Sequence, residues 1–204
     1  DRYTGDREAI AREIAADRGA AIVPSFDHEH IIAGQGTVGL EIAEDAESLS
    51  LPPELVLVPC GGGGLSAGCA VAIRHRFPKA GIYAVEPTEF DDTARSFEAG
   101  RRLAIDASAR SICDALQTPT PGALTFAINR ELLCGVLTVT DSEVGQAIRF
   151  AFNHLKMVLE PGGAVALAAL LSGKVDAAGK NTVVVLSGGN IDVDLFAKIQ
   201  ADCD

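Results

Sequence analysis

A run of four consecutive glycines constrains this chain more than any other feature of its sequence. The run, residues 61–64, lies in the stretch Val-Pro-Cys-Gly-Gly-Gly-Gly-Leu-Ser-Ala-Gly, between a short apolar segment and a helix-like segment. Glycine loses more conformational entropy on ordering than any other residue, so four in a row are a poor choice for a purely structural turn. The pattern therefore favours a strand, a loop that approaches a ligand closely, and then a helix.

Such a loop is suited to bind a phosphate group. Backbone without Cβ atoms can turn several N–H groups toward one point beside a helix N-terminus, where an anion is stabilised. A flexible turn without a ligand is the plain structural alternative. A dinucleotide is the functional alternative, because Gly62, Gly64 and Ala67 satisfy G-x-G-x-x-A and Glu86 follows about 20 residues later. That alternative predicts NAD, but it leaves a second glycine loop, Ser187-Gly188-Gly189-Asn190, without a role.

Apolar runs and amphipathic segments alternate along the chain. The runs at residues 20–23, 55–58, 82–85, 135–139 and 182–186 predict strands, and continuously apolar strands are typical of a parallel sheet covered on both faces. Helices are predicted over residues 6–18, 30–44, 65–77, 92–99, 122–132, 140–158, 162–171 and 193–199, with a long surface excursion at 101–120. We therefore predict an α/β fold, an open, mostly parallel twisted sheet flanked by helices, with ligands at the carboxyl ends of its strands.

Charge and cysteine usage exclude several classes of partner. Lys and Arg number 17 against 28 Asp and Glu, a net charge of −11, which disfavours nucleic acid and anionic membrane surfaces. No apolar stretch approaches the roughly 20 residues that cross a bilayer, so we expect a cytoplasmic protein without membrane contact. The five cysteines are scattered without a C-x-x-C pair and only four histidines are present, so we expect reduced thiols and no zinc site.

Six motifs occur in an order that resembles one enzyme family. They are Asp1-Arg2-Tyr3, Ile32-Ala33-Gly34-Gln35-Gly36-Thr37, the glycine run, Ala84-Val85-Glu86-Pro87, Leu159-Glu160-Pro161 and Leu186-Ser187-Gly188-Gly189-Asn190. Together they resemble the fold-type II pyridoxal-phosphate enzymes, specifically the serine/threonine dehydratase and serine racemase group. The resemblance implies pyridoxal 5'-phosphate as the cofactor and the large-domain fold of that family, here incomplete.

The resemblance also implies which residues contact the cofactor. In this family the amides of the glycine loop hold the cofactor phosphate. The equivalent residues here are Gly61, Gly62, Gly63, Gly64 and the amide of Leu65. The serine of the second glycine loop faces the pyridine nitrogen, which implies that role for Ser187, with a simple turn residue as the alternative. Glu160 is similar to the family's acid near the site, although a carboxylate at a helix junction needs no cofactor.

An acidic loop follows the apolar run at residues 82–85. In the racemase-like members of the family an E-P-x-x-x-D-D loop binds magnesium or calcium. The resemblance therefore implies a cation held by Glu86, the carbonyl oxygen of Phe90 and Asp92. Crowded carboxylates repel one another unless they spread into water or gather around a hard cation, so a solvated acidic turn remains the alternative.

The family's Schiff-base lysine has no counterpart in this sequence, because the five lysines lie outside every matching motif. We therefore expect no catalytic residue in the chain. By the same resemblance, residues 1–24 are the end of the small domain and residues 25–204 are the second part of the large pyridoxal-phosphate-binding domain.

The complete enzyme, by resemblance, dehydrates and deaminates L-serine, L-threonine or a related small 3-hydroxy amino acid to a 2-oxo acid, and it acts as a homodimer. This chain alone is expected to be inactive and to need the upstream part of the same enzyme as its partner. Serine racemase activity is the variant within the family. An NAD-binding Rossmann domain of an oxidoreductase and a non-catalytic α/β association module are the alternatives from other classes.

Overall fold

The structure, a computed structural model, describes residues 7–106 and 108–201. The motif at residues 1–3 and Cys203 lie outside the described residues. One parallel sheet runs through the molecule, and its strands are ordered β3-β2-β1-β4. The strands are β1 (Leu55–Pro59), β2 (Gly81–Pro87), β3 (Gly135–Val139) and β4 (Thr182–Val184). The predicted α/β fold with a parallel sheet is confirmed.

Helices connect the strands, as parallel pairing requires. In the described part of the chain they are α1 (Arg7–Arg18), α2 (Glu29–Leu49), α3 (Gly64–Arg76), α4 (Asp92–Ala99), α5 (Ala123–Leu132), α6 (Asp141–Phe150), α7 (Pro161–Leu171) and α8 (Val193–Ala201). Two 3₁₀ turns, Thr88–Phe90 and Asp114–Leu116, and a π-helical turn, Ala151–Leu155, complete the regular structure. None of the described helices is both long and apolar enough to cross a membrane.

The strand β1 is buried on both faces, and its alternate residues belong to two different cores. Leu55 and Leu57 pack with residues of α6, α7 and α8, whereas Val56 and Val58 pack with residues of α3 such as Ile73. Successive side chains of a strand point to opposite faces, so a continuously apolar strand is needed where helices cover both. The molecule therefore has helix, sheet and helix layers.

The helices α2 and α3 approach closely because glycines line their contact. A Cβ atom on Gly68 would lie 2.5 Å from both the Gly36 nitrogen and the Ile32 carbonyl oxygen, and one on Gly39 would lie 2.9 Å from the Cα of Cys69. Real Cβ atoms do not come so near to backbone. The contact holds α3, and with it the glycine loop at its N-terminus, against α2.

Some local predictions are wrong. Residues 20–23 form no strand, and Val23 is 77% exposed, because in the described part of the chain no strand lies beside them to pair with their backbone. The helix predicted to reach residue 158 ends at Leu155, where Lys156 adopts a left-handed φ of 59°. The last strand stops at Val184, two residues early, and α2 runs five residues further than predicted.

We expect the α2–α3 contact to distinguish two glycine-to-alanine substitutions. In Gly68→Ala the added methyl group overpacks the contact at a cost of about 1–3 kcal/mol, more than the gain of about 0.5–1 kcal/mol in helix propensity. Gly34→Ala, at an exposed position of α2 with open space around the new Cβ, should instead raise the free energy of unfolding. Urea denaturation followed by circular dichroism measures both; equal effects would contradict the glycine-mediated contact.

Candidate functional site

The glycine loop (residues 61–64) lies at the carboxyl end of β1 and at the N-terminus of α3. Gly63 has a φ of 93° and a ψ of 4°, a left-handed conformation that a residue with a Cβ rarely adopts. Among the described residues, no acceptor is recorded for the amides of Gly61 to Leu65. Unpaired amides at a helix N-terminus are suited to bind an anion, so the geometry is compatible with the phosphate site predicted from the sequence, which stays a prediction.

A side chain would overlap a neighbour at Gly62 and would be crowded at Gly61 and Gly64. A Cβ atom on Gly62 would overlap the ring of Phe26, and one on Gly64 would lie 3.1 Å from the Cβ of Phe26. A Cβ on Gly61 would lie 3.1 Å from the Cα of Leu116, in the 3₁₀ turn. The glycine run thus allows two other segments to close over the loop.

The carbonyl groups of the glycine loop are held by α5. Thr125 Oγ1 donates a hydrogen bond of 2.6 Å to the Gly62 oxygen. Asn129 Nδ2 and Ser66 Oγ donate to the Gly63 oxygen at 3.4 Å and 3.1 Å. In a trans peptide the C=O and the following N–H point in opposite directions, so the amides of the next residues point away from α5. The loop therefore presents its donors to the side where a phosphate would bind.

The second glycine loop (residues 187–190) lies at the same edge of the sheet, because β4 is the parallel neighbour of β1. Glu160 holds this loop by two contacts. Its Oε2 accepts a hydrogen bond of 3.1 Å from the Asn190 amide, and its own amide donates one of 3.0 Å to the Gly188 oxygen. Ser187 is exposed, and in the described structure no hydrogen bond to its hydroxyl is recorded. Glu160 thus orients the loop, while Ser187 is left available to a ligand.

Glu86 and Asp92 form a buried pair of carboxyl groups, here called the acid pair. Glu86, at the end of β2, accepts hydrogen bonds from the amides of Thr93 (3.2 Å) and Ala94 (3.0 Å). Asp92, at the start of α4, is 1% exposed, and within the described residues neither of its carboxylate oxygens has a hydrogen-bond partner. Burial raises the pKa of Asp92 to about 8, and burial together with the charge of Asp92 raises the pKa of Glu86 well above its usual range.

Two unpartnered buried oxygens beside a second carboxylate suit a hard cation. Phe90, whose carbonyl the sequence proposed as a third ligand, is buried in the 3₁₀ turn between the two acids. In the part of the chain that the structure describes, no cluster of three or more His, Cys, Asp or Glu side chains could hold a metal. A cation here would therefore take its remaining ligands from backbone carbonyls and water.

The position of Glu86 argues against the dinucleotide alternative. An acidic residue that binds a ribose hydroxyl must face the ligand, but Glu86 is fully buried and its carboxylate is engaged by the start of α4. The G-x-G-x-x-A match of the glycine loop is therefore not part of an NAD site.

The residues that hold the glycine loop from outside its motif are not evident from the sequence. Thr125 and Asn129 are buried polar side chains on α5, and their signal in the sequence is only a helical spacing of four. Cys60 lies between the glycine loop and the acid pair, with Sγ 3.6 Å from Ser66 Oγ and 3.8 Å from Thr93 Oγ1. Burial, with the charge of the nearby Glu86 carboxylate, raises the pKa of the Cys60 thiol far above its ordinary value, so this thiol is unreactive.

Comparison with known proteins decides between the pyridoxal-phosphate family and the dinucleotide-binding alternative. The model of the family described as "Pyridoxal-phosphate dependent enzyme" matches residues 1–188. The chain belongs to this family. The resemblance inferred from six short motifs is thereby confirmed.

Individual relatives agree with the family. The chain is 39% identical over 199 residues to L-threo-3-hydroxyaspartate ammonia-lyase of Saccharomyces cerevisiae, covering 98% of this chain and 60% of the relative. It is 38% identical over 197 residues to serine racemase of Schizosaccharomyces pombe, covering 97% and 59%. The crystal structure of a T.th. threonine deaminase superposes with a TM-score of 0.85 at 41% identity, covering 92% of this chain and 63% of that one. The chain thus spans about 60% of the length of its relatives.

We expect the acid pair to make stability depend on pH. Above about pH 4 the unfolded chain ionises Asp92, whereas the folded chain keeps the proton up to a pKa of about 8. The unfolded state then binds fewer protons, so the free energy of unfolding falls between about pH 4 and 8 and levels off above. Asp92→Asn should reduce the dependence of the free energy of unfolding on pH, measured by thermal unfolding at a series of pH values. Asp45→Asn, at an exposed site on α2, should leave this dependence unchanged.

If the acid pair binds calcium or magnesium, the ion should oppose this loss of stability at higher pH. At a free concentration 100 times its dissociation constant, such a cation would add about 2.7 kcal/mol to the free energy of unfolding. Because a cation binds the ionised carboxylates best, its effect should be larger at pH 8 than at pH 6. A cation effect that persisted unchanged in Asp92→Asn would locate the site elsewhere.

Proposed function

We propose that this chain is the C-terminal portion of a pyridoxal-phosphate-dependent ammonia-lyase acting on a 3-hydroxy amino acid. The observation that carries the proposal is the glycine loop, whose amides lack acceptors among the described residues and lie at the N-terminus of α3. A phosphate monoester is the part of the cofactor that such a loop recognises without a cationic side chain. The chain's own residues Gly61, Gly62, Gly63, Gly64 and Leu65 would hold it.

The second glycine loop would face the cofactor ring. When bound, the cofactor withdraws electrons from the α-carbon of an amino acid, which allows the α-proton to leave. Ser187 would donate a hydrogen bond to the pyridine nitrogen without transferring a full proton, so the ring is a weaker electron sink than one paired with an aspartate. By weakening the electron sink in this way, Ser187 would favour loss of a neighbouring hydroxyl group from the substrate. Glu160 would act indirectly, by keeping the Ser187 loop in place.

We propose that the remaining length of the relatives supplies the catalytic lysine and covers the exposed apolar surface of this chain. Ile10 and Ile14 on α1 are half-exposed, and so are Phe152 and Leu155 on the π-helical turn. Exposed apolar side chains of this kind mark surfaces that another segment covers. This supports residues 1–24 as the end of a small domain, residues 25–204 as the second part of the large one, and a homodimer once the enzyme is complete.

A magnesium or calcium ion on Glu86, the Phe90 carbonyl and Asp92 belongs to the same proposal, supported by the two unpartnered oxygens of Asp92. A cytoplasmic location is supported by the free thiols of Cys60, Cys69, Cys113 and Cys134. Serine racemisation is the second candidate activity, favoured by the 38% identity to a serine racemase. It shares removal of the α-proton and differs by returning a proton to the opposite face.

We expect the chain to bind pyridoxal phosphate and not NADH, and Gly63→Asp to weaken the binding of pyridoxal phosphate. A Cβ atom on Gly63 would lie 2.8 Å from Asn129 Nδ2 and 3.1 Å from Thr125, and the φ of 93° is itself strained for aspartate. The substitution should therefore detach the loop from α5 and weaken binding by about tenfold or more, measured by fluorescence titration.

A matched control is Gly179→Asp. Gly179 also has a positive φ, of 71°, and open space around its Cβ position, so this variant adds the same charge and backbone strain away from the loop. It should bind pyridoxal phosphate as the unsubstituted chain does. Binding of NADH alone would refute the lyase proposal, and binding of neither ligand, even with the upstream segment supplied, would favour the association module. With both segments present, 2-oxo acid release from L-serine, L-threonine and L-threo-3-hydroxyaspartate would identify the substrate.

A further inference from the structure

A carboxylate distant in sequence caps the N-terminus of α5. Asp27 lies in the bend before α2, and it accepts hydrogen bonds from the amides of Ala123 (2.8 Å), Leu124 (2.9 Å) and Thr125 (3.1 Å). Gly122, the residue preceding α5, has no side chain to cap the helix itself. Asp27 therefore satisfies three donors that the helix leaves unpaired and places a negative charge at the positive end of its dipole.

The surrounding backbone fixes the position of this carboxylate. A Cβ atom on Gly122 would overlap the Asp27 carboxylate and lie 2.5 Å from Thr125 Oγ1, so the two segments touch without an intervening side chain. On its other side, the Gly122 amide donates a hydrogen bond of 3.3 Å to the Gly62 oxygen. Asp27, Gly122 and the glycine loop are thus joined in one contact.

The same short bend acts on the glycine loop from two directions. Phe26 packs directly against Gly62 and Gly64. Asp27 acts through α5, whose Thr125 and Asn129 hold the loop carbonyls. If the start of α5 moved, the two donors would move with it, and the loop peptides would be free to rotate their amides away from the anion site.

We propose that Asp27 is a positioning residue for the cofactor phosphate: its carboxylate anchors α5, and α5 keeps the amides of the glycine loop directed toward the ligand. The proposal rests on the proposed function of the glycine loop. It assigns a role in phosphate binding to a residue whose carboxylate bonds to the amides of α5 and acts on the loop through that helix.

The test compares Asp27→Ala and Asp27→Asn with the unsubstituted chain, using pyridoxal phosphate and inorganic phosphate as separate probes. Asp27→Ala removes all three acceptor contacts and should raise both dissociation constants about tenfold. Asp27→Asn keeps one acceptor oxygen without the charge and should give an intermediate increase. Because inorganic phosphate lacks the ring, an equal fold-change for both probes would locate the effect at the phosphate.

Thr140→Ala separates positioning from a general loss of stability. Thr140 caps α6 in a capping box with Glu143, so its removal weakens a helix of the same length away from the glycine loop. Both alanine variants should lower the unfolding temperature, but only Asp27→Ala should weaken phosphate binding. An Asp27→Ala variant with a lower unfolding temperature and unchanged dissociation constants would overturn the proposal.

If the unsubstituted chain binds neither probe, that result refutes the proposed function but not the role of Asp27 in holding the loop. Hydrogen exchange in the ligand-free chain tests that role separately. The amides to follow are those of Gly122 and Ala67, which donate to the oxygens of Gly62 and Gly63. Both should exchange about tenfold faster in Asp27→Ala than in Thr140→Ala. Equal exchange rates in the two variants would show that Asp27 does not hold the loop.

Discussion

The direction of two peptide groups determines what this molecule can bind. The carbonyls of Gly62 and Gly63 accept hydrogen bonds from Thr125 and Asn129 on α5, and the Gly63 carbonyl accepts a further one from Ser66 on α3. Their partner amides consequently point away, toward the end of β1. A phosphate site built in this way would need no lysine or arginine, so the net charge of −11 does not argue against it. Loss of the α5 contacts would leave the glycines in place but without a preferred orientation.

The parallel sheet brings loops that are distant in sequence to one edge of the molecule, which the proposed site also requires. The glycine loop follows β1, the acid pair begins at the end of β2, and the Ser187 loop follows β4, so segments more than 100 residues apart meet beside β1. Each loop is then held by a partner outside its own motif: the first by α5, the last by Glu160. The strands fix where the loops start, and these partners fix which way their polar groups face.

Most of the fold follows from local patterns, because a buried parallel strand must be apolar at every position and a glycine run must be a loop. The contacts that orient the loops do not follow, since Asp27 lies 96 residues before Ala123 and no periodicity links them. Residues 20–23 illustrate the converse error: their apolar character predicted a strand, but a strand also needs a neighbour to pair with. The acidic residue Glu86 matched a dinucleotide pattern by spacing alone, whereas its direction depends on the amides of α4.

The glycine loop can bind a phosphate beside the acid pair only if Glu86 and Asp92 do not both carry an uncompensated negative charge. The ends of β1 and β2 are adjacent, with Pro59 in register with Val85, so Glu86 lies one residue beyond this pairing, next to the start of the glycine loop. Two buried negative charges there would repel a phosphate through a medium of low dielectric constant. The pKa values of both acids are raised, which favours the protonated form of the pair and so lessens the repulsion, and a bound divalent cation would remove it by neutralisation. Cys60 and Thr93, neutral and buried between the two features, preserve the same condition.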